Sequence, residues 1–388
     1  MIVRKAIINN FKDALELVKK TGSRNAVHKH LAQKGVNFPV IIEQIDNRAA
    51  NILKQEAISV GADISISEDV SRFKKGFSDL VLFANVAQVL KLVDKLKVQP
   101  FGLKEVSLNL ERLVNNKKVF KYKNKSLDLS KPAVMGIINM DPNSFSGDGL
   151  TCPDKAKQRA LEFEKFGASI IDIGAESSRP GANLVDAKTE IKRLIPALKK
   201  IRKQVKIPIS VDTYKYETAK AALGEGADIV NDIFALRVGK EKLAELIANV
   251  KAGLILMHMK GLPKNMQKLP KYKNCTSEVF KFLLERRNYA LSFGMQEEYI
   301  SVDPGPGFGK TVEHNLELIK NIYTFSSLGA VVGAVSRKRF VRLLAGEDKT
   351  SFIVANCLTA FCGADILRVH DVKETVDVLK IIQAFKGV

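Results

Sequence analysis

The chain has 388 residues, of which 46% are hydrophobic, and it carries a formal net charge of +20 at pH 7. This length and apolar content predict two domains with a sizeable buried core, and the lack of any run of about 18 apolar residues excludes a transmembrane helix. Because Lys and Arg are mixed with Asp and Glu throughout and form no arginine-rich arm, general lysine richness explains the charge better than nucleic-acid binding does.

The cysteine and histidine pattern predicts a reduced protein without structural zinc. The four cysteines lie far apart with no Cys-x-x-Cys pair, and the five histidines show no paired spacing. We therefore expect neither a zinc site nor a disulfide framework. The residues after Met1 form no apolar segment followed by small cleavage-site residues, so we expect no signal peptide and a cytoplasmic location.

Residues 1–116 are predicted to form a small α/β domain, and the sequence does not indicate its role. The predicted strands of this domain are 3–8, 38–45, 63–67 and 80–84. The predicted helices are 11–20, 26–34, 48–60, 86–97 and 103–115. The following stretch, 117–131, is rich in Lys, Asn and Ser and is predicted to be either a linker or a hairpin at the rim of the next domain.

Residues 117–388 are predicted to form a (β/α)8 TIM barrel. Helical patterns fill most of the gaps between eight strand-like runs, which are 133–139, 168–174, 207–213, 228–233, 253–259, 299–303, 330–336 and 366–371. Eight βα units over this length favour a closed barrel over an open doubly wound sheet. The predicted fold class is therefore α/β, with a TIM barrel preceded by a small α/β domain.

The stretch 299–315 is the most informative part of the barrel sequence. Ile300 and Val302 alternate with polar residues and lead to Asp303, which is followed by a Pro/Gly-rich loop. This pattern predicts a strand that ends in a carboxylate, followed by backbone that can approach a ligand closely. A Walker phosphate loop is excluded, because Gly305 and Gly309 enclose only three residues where that motif needs four.

Every predicted strand ends in polar or ligand-capable residues, and in a barrel these ends share the catalytic face. Asp212, Asn231 and Asp303 suit the amino-keto edge of a flat nitrogen heterocycle, since a carboxylate pairs with adjacent N–H groups and Asn both donates and accepts. The cations of the same rim, which suit a carbonyl oxygen and phosphates, are Lys338, Arg368 and His370. The rim therefore predicts a guanine-like or pterin-like ligand with an anionic group, rather than a structural network of ion pairs.

The barrel sequence resembles the dihydropteroate synthase family. The matching motifs, which follow the family's order over about residues 118–388, are 136–149, 172–182, 210–215, 229–233, 256–259, 303–310, 336–338 and 368–371. This resemblance implies a magnesium-dependent transferase of folate biosynthesis and a sulfonamide target. It would condense 6-hydroxymethyl-7,8-dihydropterin pyrophosphate with 4-aminobenzoate to give 7,8-dihydropteroate and pyrophosphate. Residues 1–116 lie outside the resemblance.

The resemblance also implies roles for individual residues. The pterin would be held by Asp212, Asn231, Met257, Asp303, Phe308, Lys338 and Arg368. The pyrophosphate would be bound by Asn139 through Mg²⁺, by Arg179 and by His370. The aminobenzoate site, formed when two loops close, would consist of Phe145, Ser178, Pro180 and Ser336. The expected catalytic residues among these are Asp212, Lys338, Arg368, Ser178 and Arg179.

The first loop of the barrel departs from the family pattern. Where the family uses a carboxylate near the metal, this chain has Gly147 and places Asp148 one position later. We expect Asp148 to complete the Mg²⁺ site with Asn139. Ser178 replaces the usual Thr, which keeps the hydroxyl and removes a methyl group. The resemblance further implies a homodimer that pairs through barrel helices.

Two other functions share parts of this pattern. A pterin-barrel methyltransferase using methyltetrahydrofolate would share the Asp/Asn pocket, but it would not need the Ser-Ser-Arg-Pro loop or the Arg-x-His pair. A catalytically silent pterin-binding or nucleic-acid-binding barrel would tolerate loss of the cationic rim, which is intact here.

Overall fold

The computed structural model describes residues 1, 6, 8, 10–115, 118–141, 150–177, 184–268 and 270–385. The chain divides into two compact units, Met1–Lys117 and Lys118–Val388. Within the described ranges, none of the helices is both long enough and apolar enough to cross a bilayer.

The first unit is a small α/β unit, as the sequence predicts. Its antiparallel sheet has the order β1-β3-β2, and the strands are β1 (Val40–Asp46), β2 (Asp63–Ser65) and β3 (Phe77–Phe83). Its helices are α1 (Phe11–Lys19), α2 (Asn25–Gly35), α3 (Asn47–Ser59), α4 (Glu68–Ser71), α5 (Val86–Leu96) and α6 (Leu103–Val114). The inward side chains of the sheet, such as Leu80 and Leu82, pack with α3, α4, α5 and α6 in one apolar core.

The predicted strand 3–8 falls mostly outside the described residues. The predicted strand 80–84 begins earlier, at Phe77, because Phe77 and Ser78 pair with Asp46 and Ile45 of β1. That pairing is a tertiary contact, so the local pattern did not contain it.

The second unit is a closed barrel of eight parallel strands, and the predicted fold class is confirmed. The strands are β6 (Ala133–Asn139), β7 (Ile170–Gly174), β8 (Ile209–Asp212), β9 (Ile229–Asp232), β10 (Gly253–Met257), β11 (Ile300–Asp303), β12 (Ala330–Gly333) and β13 (Ile366–Val369). The helices are α7 (Pro153–Lys165), α8 (Ala187–Arg202), α9 (Tyr216–Gly224), α10 (Lys240–Val250), α11 (Cys275–Ser292), α12 (Val312–Lys320), α13 (Arg339–Ala345), α14 (Lys349–Phe361) and α15 (Val372–Phe385), with two short 3-10 helices at Glu297–Tyr299 and Ile322–Leu328. The apolar strands pack against the surrounding helices in one large core.

A hairpin closes the bottom of the barrel. The stretch predicted as a linker or a hairpin forms β4 (Val119–Tyr122) and β5 (Lys125–Asp128), which pair antiparallel. Phe120 and Tyr122 pack with the first residues of several barrel strands, including Ala133 and Ile229. The barrel is therefore filled from its N-terminal end, and a ligand cavity has to lie at the other end.

Three predicted barrel strands end two or three residues earlier than expected, and this changes where site residues lie. The predictions 253–259, 330–336 and 366–371 correspond to strands that end at Met257, Gly333 and Val369, the last residues paired with a neighbouring strand. His258, Ser336 and His370 consequently lie on loops just beyond the strand ends rather than within strands.

Candidate active site

A cavity of about 520 Å³ lies at the C-terminal ends of the barrel strands. Seven residues of the cavity wall are site residues predicted from the sequence, namely Asn139, Asp212, Phe308, Ser336, Lys338, Arg368 and His370. Other wall residues, which received no predicted role, include Asp141, Glu176, Met266, Gln267, Lys310, Arg337, Arg339 and Arg342. The fold thus brings side chains from opposite sides of the barrel to one mouth.

Arg368, on β13, joins two carboxylates from β7 and β8. Its Nε donates to Asp172 Oδ2 at 2.7 Å, and its Nη2 lies 2.6 Å from Asp172 Oδ2 and from Asp212 Oδ2. Burial raises the pKa of Asp212 to about 7, although Arg368 opposes that shift. Burial lowers the pKa of Arg368, but the two carboxylates outweigh it and hold that pKa above its ordinary value. The second oxygens of both carboxylates have no hydrogen-bond partner among the described residues.

Asn231 and Asp303 place further polar groups beside Asp212. Asn231 pairs with Asp212 in the register of β8 and β9, and its side-chain amide has no partner in the described part of the chain. Asp303 Oδ1 accepts from the N–H of Gly305 at 2.7 Å, whereas Oδ2 has no described hydrogen-bond partner. Burial raises the pKa of Asp303. Three of the residues predicted to bind the pterin are buried at strand ends and are not part of the cavity wall, namely Asn231, Met257 and Asp303.

The loop between β11 and α12, residues 304–310 and called here the glycine loop, carries Phe308. Lys338 approaches this loop from the end of β12. Its Nζ lies 4.2 Å from the centre of the Phe308 ring and donates to the carbonyl of Pro306 at 2.6 Å. Burial lowers the pKa of Lys338 to about 7, and the Asp303 carboxylate acts in the opposite direction. An aromatic face and a cation are therefore held together at the rim, which suits a flat polar ring.

Ser336 and His370 connect the loops that follow β12 and β13. Ser336 Oγ lies 3.0 Å from His370 Nδ1, and the backbone N–H of His370 donates to Ser336 Oγ at 3.2 Å. Arg337 donates to Asp371 Oδ1 at 3.1 Å, which makes a second connection between the same loops. The predicted site residues Ser336 and His370 are thus in direct contact, and the bond between Arg337 and Asp371 holds the same two loops together.

Glu176 lies on the cavity wall just beyond β7 and is held by a buried polar network. Tyr214 Oη donates to Glu176 Oε1 at 2.9 Å, and Lys215 Nζ bonds the other carboxylate oxygen. Lys215 Nζ also donates to Glu190 Oε2 at 2.8 Å, and Thr218 Oγ1 donates to the same oxygen at 2.9 Å. This network anchors the chain near Ser177, the last described residue before the gap at 178–183.

Five predicted site residues lie outside the described residues, namely Phe145, Asp148, Ser178, Arg179 and Pro180. Asn139 and Asp141 place an amide and a carboxylate on the cavity wall. These are oxygen ligands of the kind that Mg²⁺ prefers when it is held by one or two carboxylates, water and substrate phosphates. The residues present therefore fit Mg²⁺. Within the described ranges, no group of three or more His, Cys, Asp or Glu could hold a metal ion by itself.

Several wall residues carried a usable sequence signal, and others did not. Glu176 follows the strand-end pattern of the second motif, and Lys310 ends the glycine-loop motif. Met266 and Gln267 lie in an irregular segment after β10, where no period or motif marks them. Gln267 nevertheless donates to the carbonyl of Gly307 at 2.6 Å. Such a contact is a property of the folded loops alone.

Comparison with other proteins gives consistent matches. A family described as "Pterin binding enzyme" matches residues 135–370. The Dihydropteroate synthase of Haemophilus influenzae is 39% identical over 267 residues, which is 67% of this chain and 96% of that protein. A protein of Helicobacter pylori named Bifunctional dihydropteroate synthase/dihydropteroate reductase is 33% identical over 395 residues, covering 100% of this chain and 99% of that protein.

The fold is similar to solved structures as well. The structure of Xanthomonas albilineans dihydropteroate synthase with 4-aminobenzoic acid has a TM-score of 0.64 and 36% sequence identity, and the match covers 70% of this chain and 98% of that one. The matched family model spans more than half of this chain, and the full-length relative exceeds 30% identity. This chain belongs to the pterin-binding enzymes of the dihydropteroate synthase family.

Proposed function

We propose that the cavity at the barrel mouth condenses 6-hydroxymethyl-7,8-dihydropterin pyrophosphate with 4-aminobenzoate, and that it releases 7,8-dihydropteroate and pyrophosphate. The observation that carries this proposal is the grouping of Asp212, Asn231 and Asp303, each with an unpartnered polar atom in the described structure, beside the cations Lys338 and Arg368. An amino-keto edge needs such acceptors, and a diphosphate needs such cations.

The pterin end of the site would act mainly by electrostatics. In the reaction the aryl amine forms a C–N bond to the pterin methylene carbon while the C–O bond to diphosphate breaks, and the amine proton passes to solvent. An aryl amine is a weak nucleophile, so the site would lower the barrier mainly by helping the diphosphate to leave. The fixed carboxylates of Asp172 and Asp212 favour the positive charge that develops on the pterin, and they require no reorganisation during the step.

The diphosphate end would use the cationic wall. Arg368, His370 and Asn139 line the cavity, and Asn139 with Asp141 would hold Mg²⁺ together with the substrate. When bound, Mg²⁺ would neutralise charge on the leaving diphosphate. Asp148, Arg179 and the aminobenzoate residues Phe145, Ser178 and Pro180 remain part of this proposal from the family resemblance.

A product assay tests the function directly. The purified chain with Mg²⁺ and both substrates should release diphosphate and form 7,8-dihydropteroate, and leaving out 4-aminobenzoate should stop that product. The distinguishing control supplies methyltetrahydrofolate and a corrinoid acceptor in place of the two substrates. Methyl transfer without diphosphate release would identify a methyltransferase instead.

A second activity is favoured by one observation, the similarity of the whole chain to the bifunctional protein of Helicobacter pylori. The Haemophilus influenzae synthase matches only 67% of this chain, whereas the bifunctional protein also matches the first unit. We therefore propose that Met1–Lys117 contributes to reduction of dihydropteroate. With a hydride donor such as reduced nicotinamide, the full chain should convert 7,8-dihydropteroate to a product with two more hydrogens. The Haemophilus influenzae enzyme, as a barrel-only control, should not, and equal behaviour of both would refute this role.

We also propose a homodimer formed through the outer helices of the barrel. Three apolar side chains of α14, Val354, Leu358 and Phe361, follow a helical spacing and are 50–60% exposed, and Ile381 of the adjacent α15 is 56% exposed. An apolar stripe of this kind is typical of a protein–protein interface.

Replacing Leu358 and Phe361 by Lys should convert the dimer to a monomer, because buried charges would oppose association. Sedimentation velocity measures the change. Leu316→Lys on α12, which is 46% exposed, is the matched control and should leave the dimer intact. A wild-type chain that sediments as a monomer would contradict the proposal.

A further inference from the structure

We propose that Lys310 is a positioning residue of the reaction, because its buried ammonium group holds the glycine loop in the shape that presents Phe308 and Lys338 to the pterin. This inference rests on the proposed function, since it assumes that a pterin binds beside Phe308. Lys310 is part of the sequence motif 303–310, but it has no role in the reaction proposed for the site.

The carbonyl groups of the glycine loop accept hydrogen bonds from side chains. Five consecutive carbonyl oxygens, those of residues 305–309, each accept a hydrogen bond from a side chain. Lys310 Nζ supplies two of these bonds, to Gly305 at 2.9 Å and to Phe308 at 3.0 Å. The others come from Lys338 to Pro306, from Gln267 to Gly307 and from Tyr272 to Gly309. The loop has no regular secondary structure, so side-chain bonds supply most of the hydrogen bonds that fix its conformation.

Lys310 is fully engaged by protein groups. It is 3% exposed, and its Nζ also lies 2.9 Å from Nδ1 of His258. Burial lowers the pKa of Lys310 to about 7, and in its ammonium form the group has three N–H donors, for which Gly305, Phe308 and His258 provide three acceptors. Burial lowers the pKa of His258 well below its ordinary value, which keeps the ring neutral and able to accept. Lys310 therefore has no donor left for substrate, and it acts through the loop.

The loop is packed too tightly to find another position easily. A Cβ on Gly305, where φ is +65°, would lie 2.0 Å from the carbonyl oxygen of His258. A Cβ on Gly309, where φ is +64°, would lie 2.4 Å from the carbonyl oxygen of Lys260. The loop backbone thus lies directly against the segment after β10, with Lys310 Nζ bonded to groups of both. If the ammonium group is removed, the carbonyl of Phe308 and the imidazole of His258 lose their described donor, and the carbonyl of Gly305 keeps only the N–H of Phe308.

Loss of the Lys310 bonds would affect the pterin site through two residues, Phe308 and Lys338. Phe308 is one of the carbonyl partners of Lys310, and Pro306 lies between the two loop residues that Lys310 holds. Lys338 is bonded to Pro306 and lies over the Phe308 ring. Moving the loop would therefore displace an aromatic face and a cation together. Ser336, a residue of the proposed aminobenzoate site, is bonded to His370 and has no described hydrogen bond to the glycine loop.

Kinetics of Lys310→Met and Lys310→Arg test the inference. We expect Lys310→Met to raise KM for the pterin pyrophosphate about tenfold or more, which corresponds to about 1.4 kcal/mol, and to leave KM for 4-aminobenzoate nearly unchanged. Lys310→Arg keeps a cation with several donors and should recover part of the loss. Hydrogen exchange of the amides of residues 305–309 should become faster in the Met variant and intermediate in the Arg variant.

Arg287→Met is the matched control for loss of a buried cation. Arg287 is 5% exposed on α11 and pairs with Glu297, which precedes β11 at the far end of the barrel. This variant should lower thermal stability without raising the pterin KM. If Lys310→Met fails to fold, Lys310→Arg decides, because its fork cannot reach all three acceptors in the same geometry.

An unchanged pterin KM together with unchanged exchange in the folded variants would overturn the role of Lys310. A wild-type chain that forms no dihydropteroate would instead refute the proposed function, so the two failures can be told apart.

Discussion

Replacing Arg368 by Met should abolish most of the turnover and destabilise the barrel by about 3–5 kcal/mol, the usual cost of leaving a buried charge without its partner. Arg368 is the only described cation bonded to Asp172, which is fully buried, and it also bonds Asp212. Without the guanidinium, two carboxylates would face each other in the site, and the leaving diphosphate would lose a neighbouring cation. Steady-state kinetics and urea unfolding measure the two effects.

The loss of stability should depend on pH with a definite sign. Arg368 opposes the burial that raises the pKa of Asp212 to about 7, so in the variant this pKa should rise further. A carboxyl group with a raised pKa binds more protons in the folded chain than in the unfolded chain, and stability therefore falls as pH increases toward the folded pKa. The Met variant should accordingly be closer to wild type at pH 5 than at pH 8.

A double variant separates stability from catalysis. Asp172→Asn removes the charge that the missing guanidinium would leave unpaired, so Arg368→Met/Asp172→Asn should regain part of the unfolding free energy. It should not regain turnover, because the cation at the cavity wall is still absent and the Asp172 charge that favours the positive pterin is now missing as well. Recovery of turnover together with stability would show that Arg368 has a structural role only.

The barrel could be predicted because its signal is local. Short apolar runs at regular spacing mark strands such as β7 and β9, and buried parallel strands need little else to be recognised. The bottom hairpin was harder to predict, because 117–131 is polar overall and only four apolar side chains reveal that one face is buried, namely Phe120, Tyr122, Leu127 and Leu129. In the same way, tertiary pairing with β1 extends β3 to Phe77, which its own sequence did not require.

The site shows the same division between local and distant information. The polar strand ends that bring Asp212 and Asn231 together follow from the rule that parallel strands share one edge. The bond between Arg368 and Asp172 joins residues 196 positions apart and could not be read from spacing. The donors to the glycine loop have the same character, since Gln267 and Tyr272 come from a segment without regular structure. Sequence reasoning finds residue types at an edge, and the fold decides which of them bond each other.

Asp303→Asn should weaken pterin binding by at least about 1–3 kcal/mol, the cost of replacing a buried acceptor by a group that cannot satisfy the ligand. The substitution keeps the volume of the side chain, and its amide oxygen can still accept from Gly305 N–H, as Asp303 Oδ1 does now. The other oxygen, which has no described hydrogen-bond partner, becomes an NH₂ group that faces the N–H donors of the pterin. Titration of the chain with a pterin, followed by calorimetry, measures the loss.

Asp232→Asn is the control that separates the loss of a buried carboxylate from the loss of a pterin contact. Asp232 is another fully buried carboxylate at a strand end, and burial raises its pKa to about 6. Its two oxygens accept from the N–H groups of Phe234 and Leu236, each at 2.7 Å, so both are used within its own turn. This variant should therefore lose stability and keep its pterin affinity. If Asp303→Asn behaved like Asp232→Asn, the Asp303 carboxylate would be a turn cap as well, and the pterin would have to be held by Asp212 and Asn231 without it.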